Sequence, residues 1–178
     1  YATFSVKADD IRHFDDTEKP NALFALPYSD YNRAFFSGSN LSLHKDIKGM
    51  YDVYTVVASD EAEVYQAISK VPDISVLVLC GHGSSDSLEL FDEKSRSKTY
   101  DKANIDTSDR EFAPYLRRQL TSDAVIFLNS CENGAGGANG MNLANFMAEI
   151  SGDRKVISSK ISFSGSDVVV SSVYPFDA

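Results

Sequence analysis

Cysteine is scarce in this chain: only Cys80 and Cys131 occur among 178 residues. Neither belongs to a Cys-x-x-Cys pair and no histidine stands at metal-ligand spacing. Neither a disulfide framework nor a zinc site is therefore suggested, and no metal or other cofactor is expected. Two free thiols suit a reducing, cytosol-like compartment. Long apolar runs are also missing. None approaches the ~18 residues that cross a bilayer, and the N-terminus lacks the basic-then-apolar layout of a secretory signal. The chain starts at Tyr1 and stops after Pro175-Phe176-Asp177-Ala178. It thus reads as a fragment whose signal or upstream domain, if any, has been removed, with regulation expected from neighbouring domains or a partner protein. Basic charge is in short supply. Seventeen Lys and Arg against twenty-six Asp and Glu give a net charge of -9, which argues against nucleic acid and anionic membrane as partners, since both need clustered cations. A protein or peptide partner, basic or neutral, is the expectation that remains.

What is present suits one globular domain, with 43% hydrophobic and 24% charged residues. Residues 1–20, rich in Asp and Glu and without a sustained period, read as a charged lead-in, and residues 21–178 as the folded domain. Apolar runs at 21–27, 52–58, 74–80 and 124–128, and a further one opening at Val156, predict strands. A short helix is expected over 41–48. Asp60 followed by Glu63 resembles a capping pair, with Val64, Ala67, Ile68 and Val71 on one helical face. Further helices are expected from the Pro114 region to Leu120, and over Leu143 to Ile150, the latter closed by Gly152. Residues 92–110 read as an exposed loop, and Val168 to Val173 as a last strand. Strands that are continuously apolar and alternate with helices imply an α/β domain of three layers, a mostly parallel central sheet flanked by helices.

Two motifs stand directly after such strands: Gly81-His82-Gly83 and Asn129-Ser130-Cys131-Glu132. Active sites in parallel α/β folds lie at the carboxyl ends of strands. Cys131 follows its strand in a polar, glycine-rich turn with little to pack against, whereas Cys80 ends a strand and reads as a buried, inert thiol. His13 and His44 lie among charges and read as solvated surface. His82 is framed by glycines that let backbone come close to a substrate. A free thiol with pKa of roughly 8.5 is only a few per cent thiolate near neutrality, so an imidazole is needed to take its proton. The carboxylate of Glu132 opposes a thiolate next to it unless the side chain points away.

A His-Gly after one apolar strand and a Cys after a later one, 49 residues on, resembles the caspase arrangement. The chain therefore resembles the caspase-fold (clan CD) cysteine peptidases. The caspase Gln-Ala-Cys-Arg-Gly is absent. Asn-Ser-Cys-Glu-Asn-Gly-Ala-Gly-Gly, then a helix and Lys155-Val156-Ile157-Ser158-Ser159, is more similar to CHAT-type domains, as is the Ser87-Leu88-Glu89-Leu90 segment after the histidine. Legumain-like peptidases, separases and gingipains are more distant resemblances. The likeness spans roughly residues 21–165. It implies a caspase-like fold and a cysteine endopeptidase working through an acyl-enzyme, with Cys131 as nucleophile, His82 as base and acid, and the N–H groups of Gly83 and Cys131 as oxyanion donors. It requires no third acidic member. It also places the substrate pocket on Ser29 to Arg33, on Cys80 and Gly81, and on Ser158 to Ser162. Asp30 would then read a basic residue, Arg33 or Lys160 an acidic one, with Ser158 and Ser159 beside them. Lys94, Arg96, Lys98 and Lys102 would allow self-cleavage in the 92–110 loop.

Two other readings compete. The same fold serves as an inactive scaffold or interaction module if the pair is not competent. Alternatively, Gly134-Ala135-Gly136-Gly137-Ala138-Asn139 forms a nucleotide loop, although it misses the dinucleotide fingerprint and the P-loop ending. A flexible loop that gates substrate accounts for the same glycines.

Overall fold

The structure, a computed structural model, describes residues 11–13, 18–36, 38–91 and 103–163, with backbone alone at 12, 13 and 38–42. The first strands are β1 (Arg12–His13), β2 (Asn21–Pro27) and β3 (Asp52–Ala58), with helix α1 (Gly38–Met50) between the last two. Helix α2 (Glu61–Lys70) leads to β4 (Ile74–Cys80), and a small arm follows, made of β5 (His82–Gly83), β6 (Ser87–Glu89) and β7 (Asn104–Asp106). Helix α3 (Ala113–Gln119), β8 (Leu120–Asn129), α4 (Leu143–Ser151) and β9 (Lys155–Ser158) complete the described chain.

The central sheet runs β1-β3-β2-β4-β8-β9. All neighbours in it are parallel except β1, which pairs antiparallel with β3 at the edge. Burial on both faces explains why its inner strands are continuously apolar. Ala22, Phe24, Val76, Val78, Cys80 and Phe127 pack beneath Leu43 and Ile47 of α1. Leu23, Ala25, Leu77, Leu79, Ile126 and Leu128 pack on the other face against α2, α3 and α4. The result is the three-layer α/β architecture that the sequence implies. The helix signals also act as read. Asp60 Oδ1 accepts from the Glu63 N–H while Glu63 Oε2 accepts from Ser59, a reciprocal cap, and Gly152 ends α4 with φ of 80°.

Three expectations change. The lead-in contributes β1 to the sheet instead of staying wholly irregular. The described part of the supposed 92–110 loop is structured: β7 pairs with β6, Asn104 and Ile105 are buried, and a 3-10 turn at Arg110–Phe112 buries Phe112. His44 is not solvated surface, because its ring lies edge-on to Phe24 and its Nε2 is 3.1 Å from Thr55 Oγ1. The cleavage-site lysines and arginine at 94–102 and the last strand at 168–173 lie outside the described residues.

β2 sits between β3 and β4, so the chain leaves it in one direction and continues from β4 in the other. Such a reversal opens a crevice at the carboxyl ends of the two strands. Asp30 follows β2, His82 follows β4, and Cys131 follows the next strand, β8.

Candidate active site

The register pairs Cys80 of β4 with Asn129 of β8. Side chains alternate along a strand, and parallel neighbours lie about 4.8 Å apart. Val76, Val78 and Cys80 share one face with Phe127. His82 and Cys131 each stand two residues beyond this Cys80–Asn129 pair, so both motifs leave the sheet at the carboxyl ends of neighbouring strands. The His82 ring meets Phe35, a member of the core under α1.

His82 is held from three sides. Its Nε2 is 2.8 Å from Asp30 Oδ1, whose side chain is wholly buried. Tyr31 stacks on the ring at 4.7 Å between centroids, and Phe35 meets it edge-on at 5.3 Å. Asp30 is itself fixed, with Oδ2 accepting from the Phe35 N–H at 2.8 Å and Oδ1 from the Asn32 N–H at 3.3 Å. An ionised Asp30 keeps the imidazole proton on Nε2 and leaves the Nδ1 lone pair as the base. The resemblance asks for no such partner, and it took Asp30 for a substrate-reading charge. In the structure the Asp30 carboxylate is buried and engaged by His82, Phe35 and Asn32.

Cys131 is partly exposed and its thiol donates to the Phe163 carbonyl at 3.7 Å. Among the described residues no hydrogen bond joins its sulfur to His82. Cys80 is the opposite kind of cysteine: burial pushes its thiol up to about 12, although the Asn129 amide donates to the sulfur at 3.4 Å. Glu132 has a partner of its own. It adopts φ of 61°, and its exposed carboxylate accepts from Ser162 Oγ at 3.1 Å. A positive φ on a residue with a side chain costs of order 1 kcal/mol and needs surrounding contacts to hold it. The Glu132 N–H to Ile161 and the Gly134 N–H to Ser159 supply them.

The two motif loops are fastened to each other. Asn133 Nδ2 donates to the carbonyls of Ser84 at 2.6 Å and Ser87 at 2.8 Å. Gly83 lies so close to Ser130 that a Cβ there would collide with the serine hydroxyl. This approach brings Gly83 against the residue before Cys131, the other expected oxyanion donor. Asn133 went unrecognised in the sequence, since an asparagine in a glycine-rich turn carries no signal of what it bonds.

The remaining pocket candidates divide. Arg33, exposed and with φ of 58°, shares the Asp30 loop. Ser158 and Lys160 border an open cleft of about 340 Å³ with Gly134, Gly137, Asn142 and Asn145. That cleft touches neither His82 nor Cys131. Ser159 is occupied structurally, its carbonyl accepting from Gly134 and its hydroxyl donating to the Ile161 carbonyl at 2.6 Å. The glycine-rich loop is pinned: Asn142 donates to the carbonyls of Ala135 and Gly137, and Asn145 to those of Gly137 and Gly140. Amides of Gly137 and Gly140 bond within the loop. Neither a phosphate cradle of outward N–H groups nor a freely swinging gate fits that arrangement. No family model matches this sequence, and no curated protein matches it either.

Proposed function

We propose that the protein is a cysteine endopeptidase of the caspase-fold type, similar in its motifs to CHAT-type domains, acting on protein or peptide substrates. The observation that carries the reading is that His82 and Cys131 follow the carboxyl ends of neighbouring parallel strands, with His82 hydrogen-bonded to the buried carboxylate of Asp30. In the reaction Cys131 Sγ attacks the scissile carbonyl carbon and its proton passes to His82 Nδ1. The N–H groups of Gly83 and Cys131 receive the oxyanion. Collapse breaks the C–N bond, and His82 gives the proton to the leaving amine. Water, deprotonated by His82, then hydrolyses the thioester and restores the thiol. Substrate binding has to bring sulfur and imidazole into hydrogen-bond contact, a tightening common in unliganded catalytic sites. Tyr31, Phe36 and Ile161 are exposed apolar side chains, Tyr31 on the His82 ring and Ile161 bonded to the residue after Cys131. They favour a substrate with apolar residues near the cut.

One observation favours the scaffold reading: the Cys131 thiol donates to a carbonyl instead of to His82. Alkylation separates the two. A competent Cys131 reacts with iodoacetamide or an acyloxymethyl ketone far faster than Cys80, and His82→Ala slows it by roughly 10²- to 10⁴-fold. Peptide-library cleavage by wild type and none by Cys131→Ala completes the case. Equal, slow labelling of both thiols together with no cleavage leaves the scaffold.

A further inference from the structure

Away from the dyad, Glu61, Asp109 and Glu111 bring one carboxylate oxygen each within 4.8 Å of the others. Glu61 opens α2, and Asp109 and Glu111 belong to the turn between β7 and α3. Among the described residues no Lys or Arg pairs with any of the three. Arg110, between the latter two, turns away to Glu149 at 2.9 Å. Nor is Glu61 needed to cap its helix, because Asp60 and Glu63 already do so. Carboxylates in such a group repel one another and hold protons. Burial pushes Asp109 up to about 7, opposed by the Asp106 N–H and aided by the charge of Glu61, and burial also raises Glu61.

A second observation points to a ligand. The Tyr65 hydroxyl is buried, the residue being 8% exposed, and among the described residues it has no hydrogen-bond partner. Tyr65 is four residues after Glu61 on α2, so the two share a helix face, and long helical side chains lean towards the helix N-terminus. The ring is held in that pose by Phe112 edge-on and by Tyr115 stacked at 5.5 Å.

We propose that Glu61, Asp109 and Glu111, with the Tyr65 hydroxyl, form a binding site for a hard divalent cation, calcium foremost. Carboxylate and phenol oxygens suit calcium, magnesium or manganese rather than a soft metal. Exposed Glu111 leaves one side open to water ligands, which calcium's loose coordination accepts, and three protein carboxylates suit an affinity of about 10⁻⁴ to 10⁻³ M. The cation would fasten the β7–α3 turn to α2. Since β7 pairs with β6 and β6 with β5, it would brace the arm that carries His82. The site stands whether or not the protein is a peptidase.

Terbium, a luminescent calcium substitute excited through tyrosine, tests this on the intact chain. Wild type should give saturable luminescence that millimolar calcium displaces, reduced at least several-fold in Tyr65→Phe and in Glu111→Gln. Calcium at millimolar concentration should raise the melting temperature of wild type and leave that of Glu111→Gln unchanged. Glu111 is on the exposed rim, so its substitution leaves the fold intact even if Asp109→Asn does not. Luminescence equal in wild type and Glu111→Gln, or a wild-type melting temperature indifferent to calcium, magnesium and manganese alike, would overturn the proposal.

Discussion

Asp30 shows how far a single residue can be read from sequence. Its position after the first parallel strand marks it as part of the site, and that much was legible. Its partner was not. The Asn32 side chain caps the Ala34 N–H at 3.0 Å and Arg33 takes a left-handed backbone, a turn that folds Asp30 inward. A sequence displays the charge and not the turn. The substitution Asp30→Asn isolates the role. An asparagine still accepts from the Phe35 N–H through Oδ1, but its amide then faces His82 Nε2 and favours the tautomer with the proton on Nδ1, which cannot take one from sulfur. Alkylation of Cys131 should fall by up to about 10⁴-fold, with the melting temperature nearly unchanged. Labelling at the wild-type rate would show that Asp30 merely packs. Gly83 is the complementary case: Gly-His-Gly was legible as a motif, whereas its need for glycine comes from Ser130, 47 residues away in sequence.

At the scale of elements, legibility followed the kind of burial. Strands β2, β3, β4 and β8 bury both faces and announce themselves by composition. β7 does not, since Ile105 is its lone apolar residue and hydrogen bonds hold the following turn: Asp109 Oδ2 accepts from the Asp106 N–H at 2.7 Å and Asp106 Oδ1 from Ser108. Helix α1 was underestimated in the same way. Its His44 joins a core through Phe24 and Thr55 while sitting between charged neighbours in sequence. Burial, with Lys48 one turn on, lowers the His44 pKa from its ordinary 6.5. A depressed histidine resists protonation in the folded state, so its stabilising share is complete above pH ~6.5 and is lost as pH falls below that value. Wild type should therefore lose stability on acidification more steeply than His44→Gln. The extra slope should be less than the ~1.4 kcal/mol per pH unit of a full proton difference, because half-exposure screens it. Urea titrations of both proteins from pH 7.5 to about pH 5 measure the difference, and parallel curves would refute it.

For the whole molecule, parallel α/β layering was implied by the alternation of apolar strands and helices, but the strand order was not. Nothing in a single sequence states which strands pair, and the switch between β2 and β4 that gathers Asp30 and His82 emerges only from that order. The order also joins the small arm to the main body. Leu88, Leu90 and Ile105 are fully buried and belong to the same core as Leu77, Ile126 and Met147. The arm that carries His82 and Gly83 is therefore not an appendage able to detach by itself. Truncation at Leu88 should be felt globally: Leu88→Ala should cost about 2–5 kcal/mol and lower the urea midpoint without changing the slope of the transition. Cys80, fully buried in the opposite core, reports global opening independently through its alkylation in denaturant. If the molecule is one cooperative unit, circular dichroism and Cys80 labelling will move together in the variant. A variant in which only Cys131 reactivity changes, with the Cys80 transition unmoved, would mean instead that the arm opens on its own and that the candidate site can be disassembled without unfolding the sheet beneath it.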